Sequence, residues 1–232
     1  MDITSLPHLL TPLDVAAVAA LFLTWAGITI VIERGLGKRS SVSMLMSDYR
    51  REWMRQSVTR DPKVYDALII TSLRQSTAFF ASTAVFVLGG LLAMIANIDR
   101  LSEVASDLTL EQTPPIVWEA KLAVVLFLVT NAFLKFVWSH RVFGYCSVVM
   151  AAVPNDPNDP VAMVRVDQAA ELNISAARAF NRGLRSVYFA LGSLGWLLGA
   201  VALLIAVAIT ATVLWRREFN SLTRAALMRA RP

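Results

Sequence analysis

The sequence predicts an all-α protein: a four-helix bundle integral to a membrane, with long helices extending into the cytoplasm and amphipathic helices at the interface. Three observations predict it. Hydrophobic residues make up 56% of the 232 and charged residues only 17%, a balance that soluble domains seldom carry. The apolar residues come in runs near the ~20 that a helix needs to cross the hydrocarbon. Lysine and arginine collect in the segments between alternate runs, as the positive-inside rule requires of a multi-pass protein. Lipid offers no partner to free backbone groups, so each run is expected to be helical. Residues 1–232 are read as one membrane domain.

The first span is placed at 13–32, opened by Thr11-Pro12 and closed by the polar turn from Glu33 to Arg39. Only acids, Asp2 and Asp14, precede or open this run, whereas a cleaved signal peptide wants a basic residue there. The second span, 76–98, and the fourth, 186–215, contain no charge. The third starts at 116 and continues past 139 to 153 as one long helix. The proline-rich stretch from Pro154 to Pro160 ends it, since proline disfavours helix in itself and in the residue before.

Loop one (33–75) carries nine lysines and arginines, loop three (140–185) five, and loop two (99–119) one beside the acids Asp99, Glu103, Asp107, Glu111 and Glu119. Loops one and three are therefore expected in the cytoplasm and the N-terminus outside, the bacterial inner membrane being the expected location. Four spans then put the C-terminal tail outside with Arg216, Arg217, Arg224, Arg229 and Arg231, against the same rule.

The loops carry helical patterns of their own. Val42, Leu45, Tyr49, Trp53 and Met54 form one stripe, with Arg50, Arg51 and Arg55 elsewhere on the wheel. Such a helix either lies on anionic headgroups or packs on the ends of the bundle; the pattern serves both. Helices are also expected from Asp61-Pro62 into the second span and over 161–185 into the fourth, with a short basic amphipathic helix over 219–230.

Little in the chain points to catalysis. One cysteine, Cys146, excludes an intrachain disulfide, and the two histidines, His8 and His140, are far apart. No metal-ligand spacing, phosphate loop, dinucleotide fingerprint or nucleophile elbow occurs. No cofactor, no nucleic-acid partner and no enzymatic activity are expected. The net charge of +5 is accounted for by topology and by anionic lipid at the cytoplasmic face.

Polar groups at membrane depth are costly and usually face protein or water. Asn131, Lys135 and Ser139 follow one face of the third span, and Lys121 joins it nearer the outer end. They are read either as the lining of a pathway or as two snorkelling lysines with an interhelical hydrogen bond at Asn131. Small residues mark helix-contact faces: Ser82, Gly89 and Gly90 in the second span, and Gly192, Gly195 and Gly199 in the fourth.

Several segments in order resemble a family of bacterial and plant multi-span membrane proteins catalogued as a domain of unknown function. They are Arg51-Glu52-Trp53-Met54, Arg60-Asp61 with Asp66, and Phe79-Phe80-Ala81-Ser82-Thr83 leading to Gly89-Gly90. Further on come Phe136-Val137-Trp138-Ser139-His140-Arg141 with Phe143 and Tyr145, and Arg178-Ala179-Phe180-Asn181-Arg182-Gly183-Leu184-Arg185. Tyr188-Phe189, Trp196 and Arg216-Arg217-Glu218-Phe219 complete the set. The resemblance implies four helical spans and no particular activity. Its charged and polar members Arg60, Asp61, Asp66, Arg141, Arg178, Asn181 and Arg185 fall at the predicted cytoplasmic helix ends. Asp61 and Asp66 are expected to pair with Arg141 or Arg185, either as a structural network or around a vestibule that gathers anions. The functional expectation is a homo-oligomeric channel- or transporter-like protein for a small solute or ion. The alternatives are a non-catalytic accessory or scaffold subunit bound to a membrane-protein partner and, least favoured, an intramembrane enzyme.

Overall fold

A computed structural model describes residues 10–35, 39–100, 103 and 114–229, and nearly all of them are helical. His8, Asp107, Glu111 and Arg231 lie outside the described residues. Helix α1 spans Pro12–Arg34, opened by a capping box in which Asp14 N donates to Thr11 Oγ1 and Thr11 N to Asp14 Oδ2. It ends at Gly35, whose φ of 76° suits glycine. Helix α2 (Val42–Gln56) is capped by Ser41, which also donates to Ile32 O and so ties the α1–α2 corner. Helices α3 (Val64–Ala96) and α4 (Pro115–Ala151) follow, then α5 (Ala162–Ser193), α6 (Ala200–Phe219) and the short α7 (Leu222–Met228).

Four segments are long and apolar enough to cross a membrane: Pro12–Arg34, Val64–Ala96, Pro115–Ala151 and Ala200–Met228. At 33 and 37 residues, α3 and α4 run to about 50 and 55 Å, well beyond a hydrocarbon core of about 30 Å. Large apolar side chains such as Leu23, Phe86 and Leu198 are exposed, as lipid-facing positions would be.

The expected fourth span over 186–215 is a correction. Helix α5 ends at Ser193, a 3-10 turn takes in Leu194–Leu198, and Gly199 at φ 113° reverses the chain into α6. Leucine and glycine build this turn, so hydropathy reads straight through it. Gly195 permits the hairpin, since a Cβ there would stand 3.0 Å from Ala202 O. Gly199 is thus a turn residue and not part of a helix-contact face, whereas Gly192 and Gly195 do face α6.

Helix α5 packs antiparallel along α4. Cys146 Sγ donates to Ala169 O, Ser139 Oγ to Ala176 O (2.7 Å), and Ser186 Oγ to Asn131 Oδ1 (3.1 Å), so positions rise on one helix as they fall on the other. Phe136 packs between Phe80 of α3 and Phe180 of α5, and a Cβ at Gly183 would come within 2.6 Å of its ring. On the far side α3 also runs antiparallel to α4, with Thr77 Oγ1 3.2 Å from His140 Nδ1.

These pairings carry α5 from one end of the bundle to the other. Trp196, just past its end, donates to Asp14 Oδ1 at the start of α1 (2.7 Å). Among the described residues five helices therefore traverse the bundle, although only four are apolar enough to be read as spans. The consequence is a second correction: the tail lies at the same end as loops one and three, not opposite them. Glu218 accepts from Ser43 N (3.0 Å), Arg224 Nε donates to Ser40 O (2.9 Å) and Tyr49 Oη to Leu227 O (3.4 Å). Every described basic segment between helices meets at one end of the bundle.

The core changes character along its length. Between the ends it is made of side chains such as Leu21, Leu128, Phe136 and Leu203, all fully buried. In lipid, close packing holds such a core together, because leaving it exposes nothing to water. At the basic end Met54, Ile70, Val166 and Ala169 form a second cluster under α2. There water exclusion is available, at about 1.5–3 kcal/mol for each large side chain buried.

Candidate functional site

Helix α2 stands along the first half of α5, with Arg51 Nε on Glu171 Oε1 (2.8 Å) and Arg55 on Asp167 (3.4 Å). Its amphipathic stripe is therefore used for packing within the chain. Where the start of α2, the middle of α5 and the ends of α1 and α6 converge they leave a cavity of about 290 Å³. Its charged lining is Arg50, Arg178 and Arg185 against Glu33 and Glu218.

Both acids are already engaged. Glu33 takes Arg182 Nε (2.7 Å) and a second nitrogen of the same guanidinium, and Arg185 binds its Oε1 at 2.6 Å. Arg185 is only 4% exposed while Arg182 is 42% exposed, so this charge-assisted triad runs from the surface into the interior. Glu218 caps α2, accepting from Ser43 N at 3.0 Å and Ser43 Oγ at 3.1 Å, where the positive helix end favours an anion.

The remaining cations are not neutralised. Arg50 donates to the carboxamide oxygen of the fully buried Asn173, and among the described residues no carboxylate pairs with it. Burial holds its pKa below the ordinary guanidinium range, while its neighbour Arg51 is held above it by the hydrogen bond to Glu171. Arg178 lies exposed at the cavity, near enough to Glu33 to act on it electrostatically but in no ion pair with a described residue. The Nε of Arg185 is buried and without a partner. Asn181 completes the polar lining.

A second cavity at the same end, about 300 Å³, lies between the starts of α3 and the end of α4 and is lined by Asp66, Ile70, Arg74 and Met150 among others. Asp66 is 1% exposed; its Oδ1 accepts from Trp53 Nε1 (2.7 Å) and pairs with Arg60. Its Oδ2 and the Nε of Arg74 are buried without a partner.

The expected network is thus two separate units. Arg185 sits at the level of Asn131 on α4, whereas Asp66 lines a cavity with Met150, some twenty residues or about 30 Å along the helix. Arg141 binds Tyr145, donating to its hydroxyl and lying 5.7 Å over its ring, and Asp61 is exposed. Arg178, Asn181 and Arg185 come together as grouped; Arg60 and Asp66 form the other unit.

The polar stripe of the third span faces α5. Asn131 and Ser139 bond Ser186 and Ala176 across that interface, and neither lines the two cavities described above. Lys121 is buried at the opposite end, 5.0 Å over the Trp118 ring and within electrostatic reach of Asp14. Lys135 makes no hydrogen bond or ion pair among the described residues. On α3, Ser82, Gly89 and Gly90 are exposed, and both glycines face open space.

The sequence reading left out Glu33, Arg50, Asn173, Arg182 and Glu218. Arg182 and Glu218 stand inside two of the family-like segments, which was the available signal. Glu33 stands at the end of the first span and was absorbed into its closing turn.

These features define an all-helical protein with four membrane-competent helices, a charged fifth traverse and a basic cavity at one end. The chain belongs to the family described as "Protein of unknown function, DUF599", whose model matches residues 16–223. No curated protein and no solved structure matches it.

Proposed function

We propose that this is a multi-pass membrane protein that binds an anionic ligand in the cavity at its basic end, the channel- or transporter-like reading narrowed to anions. The carrying observation is Arg50, half-buried beside Arg178 and Arg185 and paired with no carboxylate among the described residues. A buried charge is normally paired, and removal of a carboxylate from such a pair is strongly destabilising. A bound anion supplies the missing charge. Arginine suits the role, since its planar fork meets phosphate or carboxylate with two parallel hydrogen bonds.

With the N-terminus outside, five traverses bring loops one and three and the basic tail into the cytoplasm together, which satisfies the positive-inside rule. The cavity then opens to the cytoplasm at the headgroup layer. The homo-oligomeric part of the reading rests on Gly89 and Gly90, exposed small residues with no partner among the described residues.

The test is thermal unfolding of the purified protein with increasing inorganic phosphate at constant ionic strength. A ligand that binds only the folded state stabilises it by about 2.7 kcal/mol at a hundred times its dissociation constant. Wild type should be stabilised and the Arg50→Gln/Arg178→Gln double variant should not. Equal responses of the two proteins would refute the reading.

A further inference from the structure

Beyond Arg185 two smaller spaces follow in a crevice between α5 and α6, each sharing lining residues with the one before it. A small void of about 70 Å³ shares Asn181, Arg185 and Glu218 with the cavity and adds Leu184, Tyr188 and Leu214. A third space of about 230 Å³ shares Tyr188, Leu214 and Arg217 with that void and adds Leu191, Gly192, Ile209 and Val213. The lining changes in order along this path, from arginine to aromatic to aliphatic. The α5 residues that follow it, Ile174, Arg178, Asn181, Arg185, Tyr188 and Gly192, recur every three or four positions and so share one face.

The path leads from the basic end into the apolar part of the bundle. From Leu184 to Gly192 it climbs about 12 Å at the helical rise. Gly192 lines the upper part and lets α6 approach closely there, since a Cβ would stand 3.1 Å from Thr210 Oγ1. Arg217 bridges the crevice where polar turns to apolar, donating to Tyr188 Oη (2.9 Å) with its guanidinium 5.6 Å from the ring centre. Leu191, Ile209 and Val213 are exposed along the rim, so the crevice opens sideways toward lipid.

We infer that the ligand is an anionic amphiphile, a phosphate or carboxylate head on an alkyl chain. Its head sits among Arg50, Arg178 and Arg185, and its chain lies in the α5–α6 crevice against Gly192, Ile209 and Val213. This inference rests on the anion-binding reading of the same cavity and adds the chain. A free inorganic anion uses the arginines and leaves the crevice without a role. An amphiphile uses both, and each methylene placed in the crevice leaves water when the ligand comes from solution.

The test uses the full chain purified in a maltoside detergent. Inorganic phosphate is compared with butyl, octyl and dodecyl phosphate, and dodecanol serves as the uncharged control. Binding is read by thermal shift. Affinity should rise at least tenfold from inorganic to octyl phosphate and level off once the crevice is full, with dodecanol giving no response. Val213→Trp, at a rim position that tolerates bulk, should remove the chain-length dependence and leave inorganic phosphate binding unchanged. Gly192→Leu should do the same if it folds, and Val213→Trp decides the matter if it does not. Equal affinity for all four phosphates would overturn the chain site and leave the anion site standing. Chain-length dependence that persists in Val213→Trp would also overturn it, since partition into micelles would then explain the trend. No response to any phosphate would overturn both.

Discussion

The two cavities at the basic end have nearly the same volume but differ in how their charges are closed. In the α3–α4 cavity the buried carboxylate of Asp66 is matched by Arg60 and Trp53 and keeps one unpartnered oxygen, so an acid still stands in the lining with Lys63 and Arg74. In the α2–α5 cavity Glu33 is taken by Arg182 and the cavity's own Arg185, Glu218 caps α2, and Arg50 is left without an acid among the described residues. The difference teaches that arginines near a cavity do not make an anion site by themselves. What matters is whether the chain has already supplied the counter-charge.

Substitutions break the comparison in order of size. Glu33→Gln should have the largest effect, because it strands Arg182 and the buried Arg185 together. Losing one partner of a buried pair costs about 3–5 kcal/mol, measurable as a fall in unfolding temperature in detergent. Asp66→Asn keeps the shape and the Trp53 hydrogen bond but leaves Arg60, which is 35% exposed, without a counter-charge. Solvent reaches that guanidinium, so a loss of about 1–2 kcal/mol is expected, with the phosphate response unchanged.

Arg50→Gln should go the other way. It removes a half-buried cation that pairs with no acid among the described residues, so the ligand-free protein should gain about 1 kcal/mol of stability while losing its response to phosphate. A destabilised Arg50→Gln would mean that the arginine is satisfied inside the chain. Ser139→Ala should have the smallest effect. Interhelical hydrogen bonds in membranes average about 0.6 kcal/mol, and neither phosphate binding nor anion flux should depend on this one.

How much of this was legible in the sequence follows from what hydropathy measures. Spans one and two were legible because their apolar runs are long and nearly free of charge, and the third because its run outweighs Lys121, Asn131 and Lys135; Thr11-Pro12, Gly35 and Pro154 mark ends. The fifth traverse was not. Arg178, Arg182 and Arg185 lower the hydropathy of α5, yet Glu33 compensates two of them inside the bundle, a pairing across 149 and 152 residues. The turn at Leu194–Leu198 is as apolar as the helices beside it, so two passes read as one. That single error moved the arginine tail to the wrong end and produced the conflict with the positive-inside rule. The arginine cluster was half legible: Arg178, Asn181 and Arg185 share one helical segment. Arg50 joins them only through the packing of α2 on α5, which periodicity alone left undecided.

The arrangement of the basic end stands on that fifth traverse, and labelling from one side of the membrane tests it directly. In a Cys146→Ala background, single cysteines replace Thr59 in loop one, Leu222 at the start of α7 and Glu103 just beyond the opposite end of α3. A membrane-impermeant maleimide is then applied to intact cells. Five traverses predict that positions 59 and 222 behave alike and position 103 oppositely. Labelling of position 222 together with position 103, and apart from position 59, would contradict the fifth traverse and with it the placement of the tail beside the cavity.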